Sequence, residues 1–281
     1  MIDNWRLIIF ITLLVFSFSY AKDTLIFGIC PHDSGPTKVK RWYVLADYLS
    51  KKLGKKVIVS EDFTFDAFIK KFSNGEYDFV YINPMHYVVA HNLQGYMVFA
   101  KEKGRKDQGV IIVRKDSSIN HVSQLKGKKL VFPSPTAWSA TILVAAYLND
   151  NGLVYGKDYS AIYTNGPHEV TALAIIKRFA DAGGSLERFV KNARPFIRSN
   201  IKILAKTQRT SPHVFAYSPK LDAQTKTDLQ QALFSLNREG RDVLLTIGFK
   251  GIEVYSDEDM NDVREIMRKL GLPFDKVKGL D

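Results

Sequence analysis

Five segments of the 281-residue sequence place polar side chains where a strand gives way to a turn or helix. They are Cys30 to Thr37, Tyr81 to His86, Pro133 to Ser139, Thr164 to His168 and Asp181 to Ser185. In Pro133-Ser134-Pro135-Thr136-Ala137-Trp138-Ser139 two prolines fix a turn, and Thr136 and Ser139 put hydroxyls at the start of an apolar helix. Open backbone N–H groups, the helix dipole and those hydroxyls form an anion cradle that needs no buried cation. The same hydroxyls suit helix capping, and the pattern alone leaves both roles open.

Tyr81-Ile82-Asn83-Pro84-Met85-His86-Tyr87 repeats the layout. Asn83 is a natural cap. Tyr81, His86 and Tyr87 offer polar tips on flat apolar bodies, which line clefts or pack in cores. His168 opens a third helix within Asn165-Gly166-Pro167-His168-Glu169. Asp181-Ala182-Gly183-Gly184-Ser185 reads as a short turn, and Asp181 either accepts a ligand hydrogen bond or shapes that turn.

No catalytic set emerges. The sequence lacks a G-x-S-x-G elbow, an H-E-x-x-H pair and a Walker-type loop. Six histidines lie scattered at 32, 86, 91, 121, 168 and 213, without metal-ligand spacing. The single cysteine, Cys30, excludes an internal disulfide and the cysteine-based zinc sites. With His32 nearby it is a nucleophile or soft-ligand candidate, or else a buried, inert thiol. The expectation is a binding protein rather than an enzyme, with no metal and no cofactor.

The positioning elements alternate. Thr24 to Ile29, Lys56 to Ser60 and Asp78 to Tyr81 read as strands. Between them, Val39, Trp42, Leu45, Leu49 and Leu53 recur at helical spacing, and Thr64 caps a helix with the apolar face Phe65, Phe68, Ile69 and Phe72. Pro84 suits the first turn of a helix reaching about Asn92. Tyr96 to Ala100 and Gly109 to Val113 read as strands joined by a basic connection. A second series follows, with strands at Lys129 to Phe132, Ala161 to Thr164, Ile201 to Lys206 and His213 to Ser218. Its helices run from Thr136 to Asn149 and from His168 to Phe179. The remainder is mostly helical, with Ser256 and Asp259 opening a last helix that Gly271 ends. Alternation of this kind predicts parallel-rich sheets flanked by helices. The strand count predicts two lobes with crossings near Ala100 to Gly109 and near Asn200. Ligands of such sheets sit at the carboxyl ends of strands, beside helix starts.

A short polar start with Arg6, the apolar run Leu7 to Phe18 and the small-residue site at Ser19-Tyr20-Ala21 make up a secretory signal. The run is too short to span a bilayer comfortably. Cleavage is expected after Ala21, leaving a periplasmic chain, with retention as an uncleaved membrane anchor as the alternative. The net charge of +11 is spread along the sequence rather than packed in one stripe. Together with export, that argues against nucleic acid and leaves an anionic ligand, an acidic membrane surface or a generally basic, soluble surface.

The residues resemble the phosphate/phosphonate-binding proteins of ABC transporters, within the type II periplasmic binding fold. The resemblance covers about Leu25 to Leu270. It is carried by Phe27-Gly28 with Pro31 and Pro36, Trp42 to Leu53, Asn74-Gly75-Glu76-Tyr77-Asp78, and Tyr81-x-x-Pro84 with Tyr87. Val113 to Ser117, Leu125-Lys126-Gly127-Lys128, Phe132 to Pro135, His168 and Asp181-Ala182-Gly183 continue it. The resemblance implies that hydroxyls after the proline turn hold the phosphonate oxygens. It also implies ligand contacts at Tyr81, His168 and Asp181. This chain offers Thr136 and Ser139 but departs from the usual Ser-Thr-Ser-Gly run, and Trp138 would reshape the pocket. Asn83 and His86 also replace more usual residues.

The expected molecule is therefore an α/β, two-lobed, type II binding protein. Residues near 22–103 plus 200–281 form one lobe and 104–199 the other. A small oxyanion such as phosphate, phosphonate or phosphite binds between them, at Tyr81, Asn83, His86, Thr136, Trp138, Ser139, His168 and Asp181. The expected state is a monomer, and the expected partner is an ABC permease or, alternatively, the outer domain of a sensor kinase.

Overall fold

The computed structural model of the chain describes residues 23–30, 36–62 and 64–280. The expected signal segment, residues 1–21, and His32 lie outside the described residues.

Two sheets organise the chain. The first runs β11-β4-β10-β3-β1-β2, built from β1 (Thr24–Ile29), β2 (Lys56–Val59), β3 (Phe79–Ile82), β4 (Met97–Glu102), β10 (Val214–Tyr217) and β11 (Ile252–Val254). The second runs β7-β6-β8-β5-β9, built from β5 (Asp107–Arg114), β6 (Lys129–Phe132), β7 (Ser160–Tyr163), β8 (Ala182–Leu186) and β9 (Ile201–Thr210). Strands joined through helices are parallel: β1 to β2 and β3, and β6 to β7 and β8. Strands next to the crossings are antiparallel: β10 to β3 and β4, β11 to β4, and β5 to β8 and β9. The sheets are thus mixed rather than parallel-rich. Only βαβ crossovers enforce parallel pairing, and β5 and β10 enter their sheets without one.

Residue alternation along the strands builds two cores on each sheet. Phe79 and Tyr81 face α1 (Pro36–Leu53), α8 (Ala223–Glu239) and α9 (Arg241–Ile247). Val80 and Ile82 face α2 (Phe65–Ser73), α3 (Pro84–Gln94) and α10 (Asn261–Lys269). In the second sheet Ile111 and Val113 face α4 (Leu143–Asp150). Val110 and Ile112 face α5 (His168–Ile176), α6 (Glu187–Asn192) and α7 (Pro195–Asn200).

Two expectations need correction. Asp181 to Ser185 is not a turn: residues 182–186 form β8, buried between β6 and β5. Its glycines serve close packing, because a Cβ on Gly184 would run into Ala140 O and one on Gly183 into Val131 O. The second crossing is not near Asn200. β9 continues to Thr210, pairs with β5, and hands over to β10 only at residues 211–213. The chain also returns late to the second sheet. Leu280 N bonds Pro135 O at 3.3 Å, and the Tyr163 hydroxyl donates to Leu280 O.

Candidate functional site

The crossings fix where the two sheets meet. Ile82 at the end of β3 is opposite Val214, and Lys101 near the end of β4 is opposite the same residue. Asp107, the first residue of β5, is opposite Thr210, the last of β9. Residues 103–106 and 211–213 therefore join the sheets at the carboxyl ends of β1, β3, β6 and β8, the edge where α/β folds place ligands.

On the second sheet the turn after β6 carries the expected anion cradle. The helical run begins with a π turn, Trp138–Ile142, in which Ile142 N bonds Ala137 O at 3.1 Å, and continues into α4. The regular helix expected from Thr136 is shortened accordingly. Ala137 stands at the N-cap and no side chain caps the run. Thr136 is half-buried in the preceding turn and Ser139 is buried within the π turn. Neither hydroxyl is used as a cap, so the capping alternative left open by the sequence is not realised. The first N–H groups of the run have no intrahelical acceptor. The turn is braced by the Thr141 hydroxyl, which donates to Ser134 O at 2.7 Å.

Other polar groups converge on the same edge. His168 is the first residue of α5; its Nδ1 lies 3.5 Å from Ser185 Oγ, and its ring stacks on Phe189 at 5.5 Å. Ser185 is fully buried in β8, next to Gly184, which lies against the π turn. Thr164 N bonds Phe132 O at 2.9 Å, and Thr164 Oγ1 lies 3.5 Å from Thr171 Oγ1. Hydroxyls and open N–H groups are neutral donors, the set that strips water from an oxyanion without adding a fixed positive charge, and the His168 ring adds a further polar edge.

The first sheet supplies an aromatic and ionic wall. Tyr81 is buried, with its ring 4.8 Å from Trp42, 5.5 Å from His213 and 5.6 Å from Phe249. Arg105, in the first crossing, forks Asp107 at 2.8 and 3.3 Å and reaches Glu102 at 3.1 Å. Burial alone would raise the Asp107 carboxyl, but Arg105 and His213 outweigh it and hold the group far below the usual carboxylate range. Arg188 of α6 reaches Glu102 at 3.4 Å and Gly248 O at 3.3 Å, so this wall is tied to the second sheet.

Asn83 and His86 form a closed pair. Asn83 caps α3, accepting from His86 N at 2.9 Å, while its Nδ2 lies 3.2 Å from His86 Nδ1. Both are fully buried. Burial first, and then the charge of His213, pulls His86 down to about 3, so the ring is neutral. Trp138 packs into the first sheet's core. It is buried with Ile82, Met85 and Val214, and its Nε1 donates to Thr210 Oγ1 at 3.0 Å.

Asp181 is not brought to this edge. It precedes β8, is exposed, and accepts from Lys129 N at 2.9 Å at the start of β6. That is a strand length, roughly 13 Å, from the β6 carboxyl end. The structure thus groups Thr136, Ser139 and His168, sets Tyr81, Asn83, His86 and Trp138 into the adjoining wall, and leaves Asp181 at the far end. Sequence reasoning marked the segments holding Thr164 and Ser185 without singling out either hydroxyl, and it passed over Arg105, Asp107 and His213 as site residues. A hydroxyl beside two glycines and an Arg-x-Asp pair were the available signals.

Two shallow surface cavities, about 220 and 230 Å³, lie elsewhere: beside Glu169, Arg194 and Phe196, and between α4 and α10. Among the described residues, no cluster of His, Cys, Asp and Glu is placed to hold a metal ion. Within the same residues, no helix is long and apolar enough to cross a membrane.

Comparison with known proteins gives concordant results. The family described as "ABC transporter, phosphonate, periplasmic substrate-binding protein" matches residues 27–260. The phosphonates-binding periplasmic protein of Escherichia coli K12 is 23% identical over 258 residues, 87% of this chain and 76% of that protein. Among solved structures, PhnD1 of Prochlorococcus marinus in complex with methylphosphonate superposes with a TM-score of 0.78 at 20% identity, covering 89% of this chain and 98% of that one. The binding component of a Pseudomonas aeruginosa ABC phosphonate transporter gives 0.76 at 18% identity, covering 88% and 87%. These structures share the type II fold described above.

Proposed function

The chain belongs to the phosphonate-binding periplasmic substrate-binding proteins of ABC transporters, and from that premise we propose how it holds its ligand. It works in the periplasm, binds a small phosphonate-class oxyanion and serves a membrane permease. Residues 1–21 act as the export signal, and the mature chain is a monomer that binds without turnover.

The two sheets are read as two lobes, residues 22–103 plus 211–281 and 104–210, because β9 pairs with β5. The oxyanion sits at the carboxyl ends of β6 and β8. Thr136, Ser139 and the open N–H groups of the π turn hold its oxygens, and His168 donates from α5. Tyr81 and its aromatic neighbours close the site from the first lobe, while Asn83, His86 and Trp138 support that wall. The ligand bridges the lobes and shifts the population towards the closed form that the permease engages.

One observation carries this reading: the helical run after β6 starts with alanine at its N-cap, so its N–H groups and the flanking Thr136 and Ser139 hydroxyls are not spent on capping. Calorimetric titration of residues 22–281 tests it. Methylphosphonate and phosphate are expected to bind and arginine is not. Binding of arginine with no response to either phosphorus oxyanion would contradict the reading.

A further inference from the structure

Ser134 lies between β6 and the π turn and is 4% exposed. Its carbonyl is fully engaged, accepting from Ala137 N at 3.3 Å and from Thr141 Oγ1 at 2.7 Å. Among the described residues its hydroxyl has no hydrogen-bond partner. A buried hydroxyl left unpaired destabilises a fold, and native structures keep few of them. This one sits in the turn that feeds the helical run Trp138–Asp150, whose first N–H groups are also open and whose N-cap is an alanine. Buried hydroxyl and open helix start thus adjoin, and one acceptor with several lone pairs satisfies both.

We propose that Ser134 Oγ–H donates to an oxygen of the bound anion, as an additional ligand hydroxyl beside Thr136 and Ser139. The inference rests on the oxyanion reading of the site. Its energetic signature is distinctive, because the group is a liability in the free protein and an asset in the complex. A hydroxyl kept for packing or capping has no such two-sided effect. Thr141 fixes the turn so that Ser134 is held in place rather than free to swing out to solvent.

The test pairs calorimetry with thermal melts on the mature chain, using methylphosphonate and inorganic phosphate as probes. In Ser134→Ala, affinity for both is expected to fall about tenfold to a hundredfold, the range of one charge-assisted hydrogen bond. The ligand-free melting temperature is expected to rise by roughly 2–4 °C, because the unpaired hydroxyl is gone. If Ser134→Ala does not fold, Ser134→Cys, similar in size and a weak donor, is titrated in its place with the same expected loss. Affinity within twofold of wild type overturns the inference alone. So does a lowered ligand-free melting temperature, since it means the hydroxyl is already paired. A wild-type chain that binds neither probe overturns the oxyanion reading, and the inference with it.

Discussion

The indole Nε1 of Trp138 donates to Thr210 Oγ1 at 3.0 Å, tying the start of the α4 run to the last residue of β9. The same ring is buried with Ile82, Met85 and Val214. One side chain from the second sheet thus fills the core of the first, beside both the anion turn and the crossing at residues 211–213.

That placement gives Trp138 a measurable weight. Trp138→Ala should cost about 3–5 kcal/mol, the range for emptying a large core site. Trp138→Phe keeps most of the apolar contact but leaves the buried Thr210 hydroxyl without its donor, and should cost about 1–3 kcal/mol. Denaturant melts of both variants check this. A loss under about 1 kcal/mol for Trp138→Ala would mean that the ring is not part of a shared core.

Glycine at 184 positions the π turn. A Cβ there would collide with Ala140 O and with the Phe132 ring. Gly184→Ala should therefore push the helix start off the sheet, costing about 1–3 kcal/mol and weakening methylphosphonate binding. Gly152→Ala is the control. Its φ of +76° makes alanine strained there, but nothing lies within 4 Å, so stability falls while affinity holds. Calorimetry that finds equal affinities for the two variants would contradict this division of roles.

Acid should destabilise the protein in two stages. His86 is held neutral in the folded chain, at about 3, against about 6.5 when unfolded. Between those values the unfolded state binds a proton that the folded state refuses. Stability is then complete above about pH 6.5 and falls as the pH drops towards 3, by up to about 1.4 kcal/mol per pH unit. Asp107 acts lower. Its folded pKa is depressed, so its contribution is present above its ordinary value near 3.8 and is lost as the pH falls below it. Urea melts from pH 8 to 4 should show a flatter profile for His86→Gln than for wild type. Identical slopes would remove His86 from the account.

Much of the frame was legible in the sequence because it is local. Thr24–Ile29 and the helix from Pro84 follow from an apolar run and from an Asn-Pro start, and both stand where expected. Asp181 to Ser185 misled because glycine and small residues mark turns and also mark strands onto which another backbone packs. Only the contact with Ala140 separates the two cases. The second crossing lies later than the sequence suggests because β9 is held by pairing to β5, some ninety residues earlier in the chain. The site divided in the same way. Thr136, Ser139 and His168 stand at the edge expected of them because each follows a strand at a helix start. Arg105 and His213 have no such local mark, because the crossings and the sheet order alone bring them to that edge.

A crystal structure of the mature chain with methylphosphonate tests the central claim most directly. The account expects phosphonate oxygens within about 3 Å of Thr136 Oγ1, Ser139 Oγ and the first N–H groups of the π turn, with Tyr81 facing them from the other lobe. Methylphosphonate bound elsewhere, for example in the groove between α4 and α10, with the turn after β6 left empty, would contradict it.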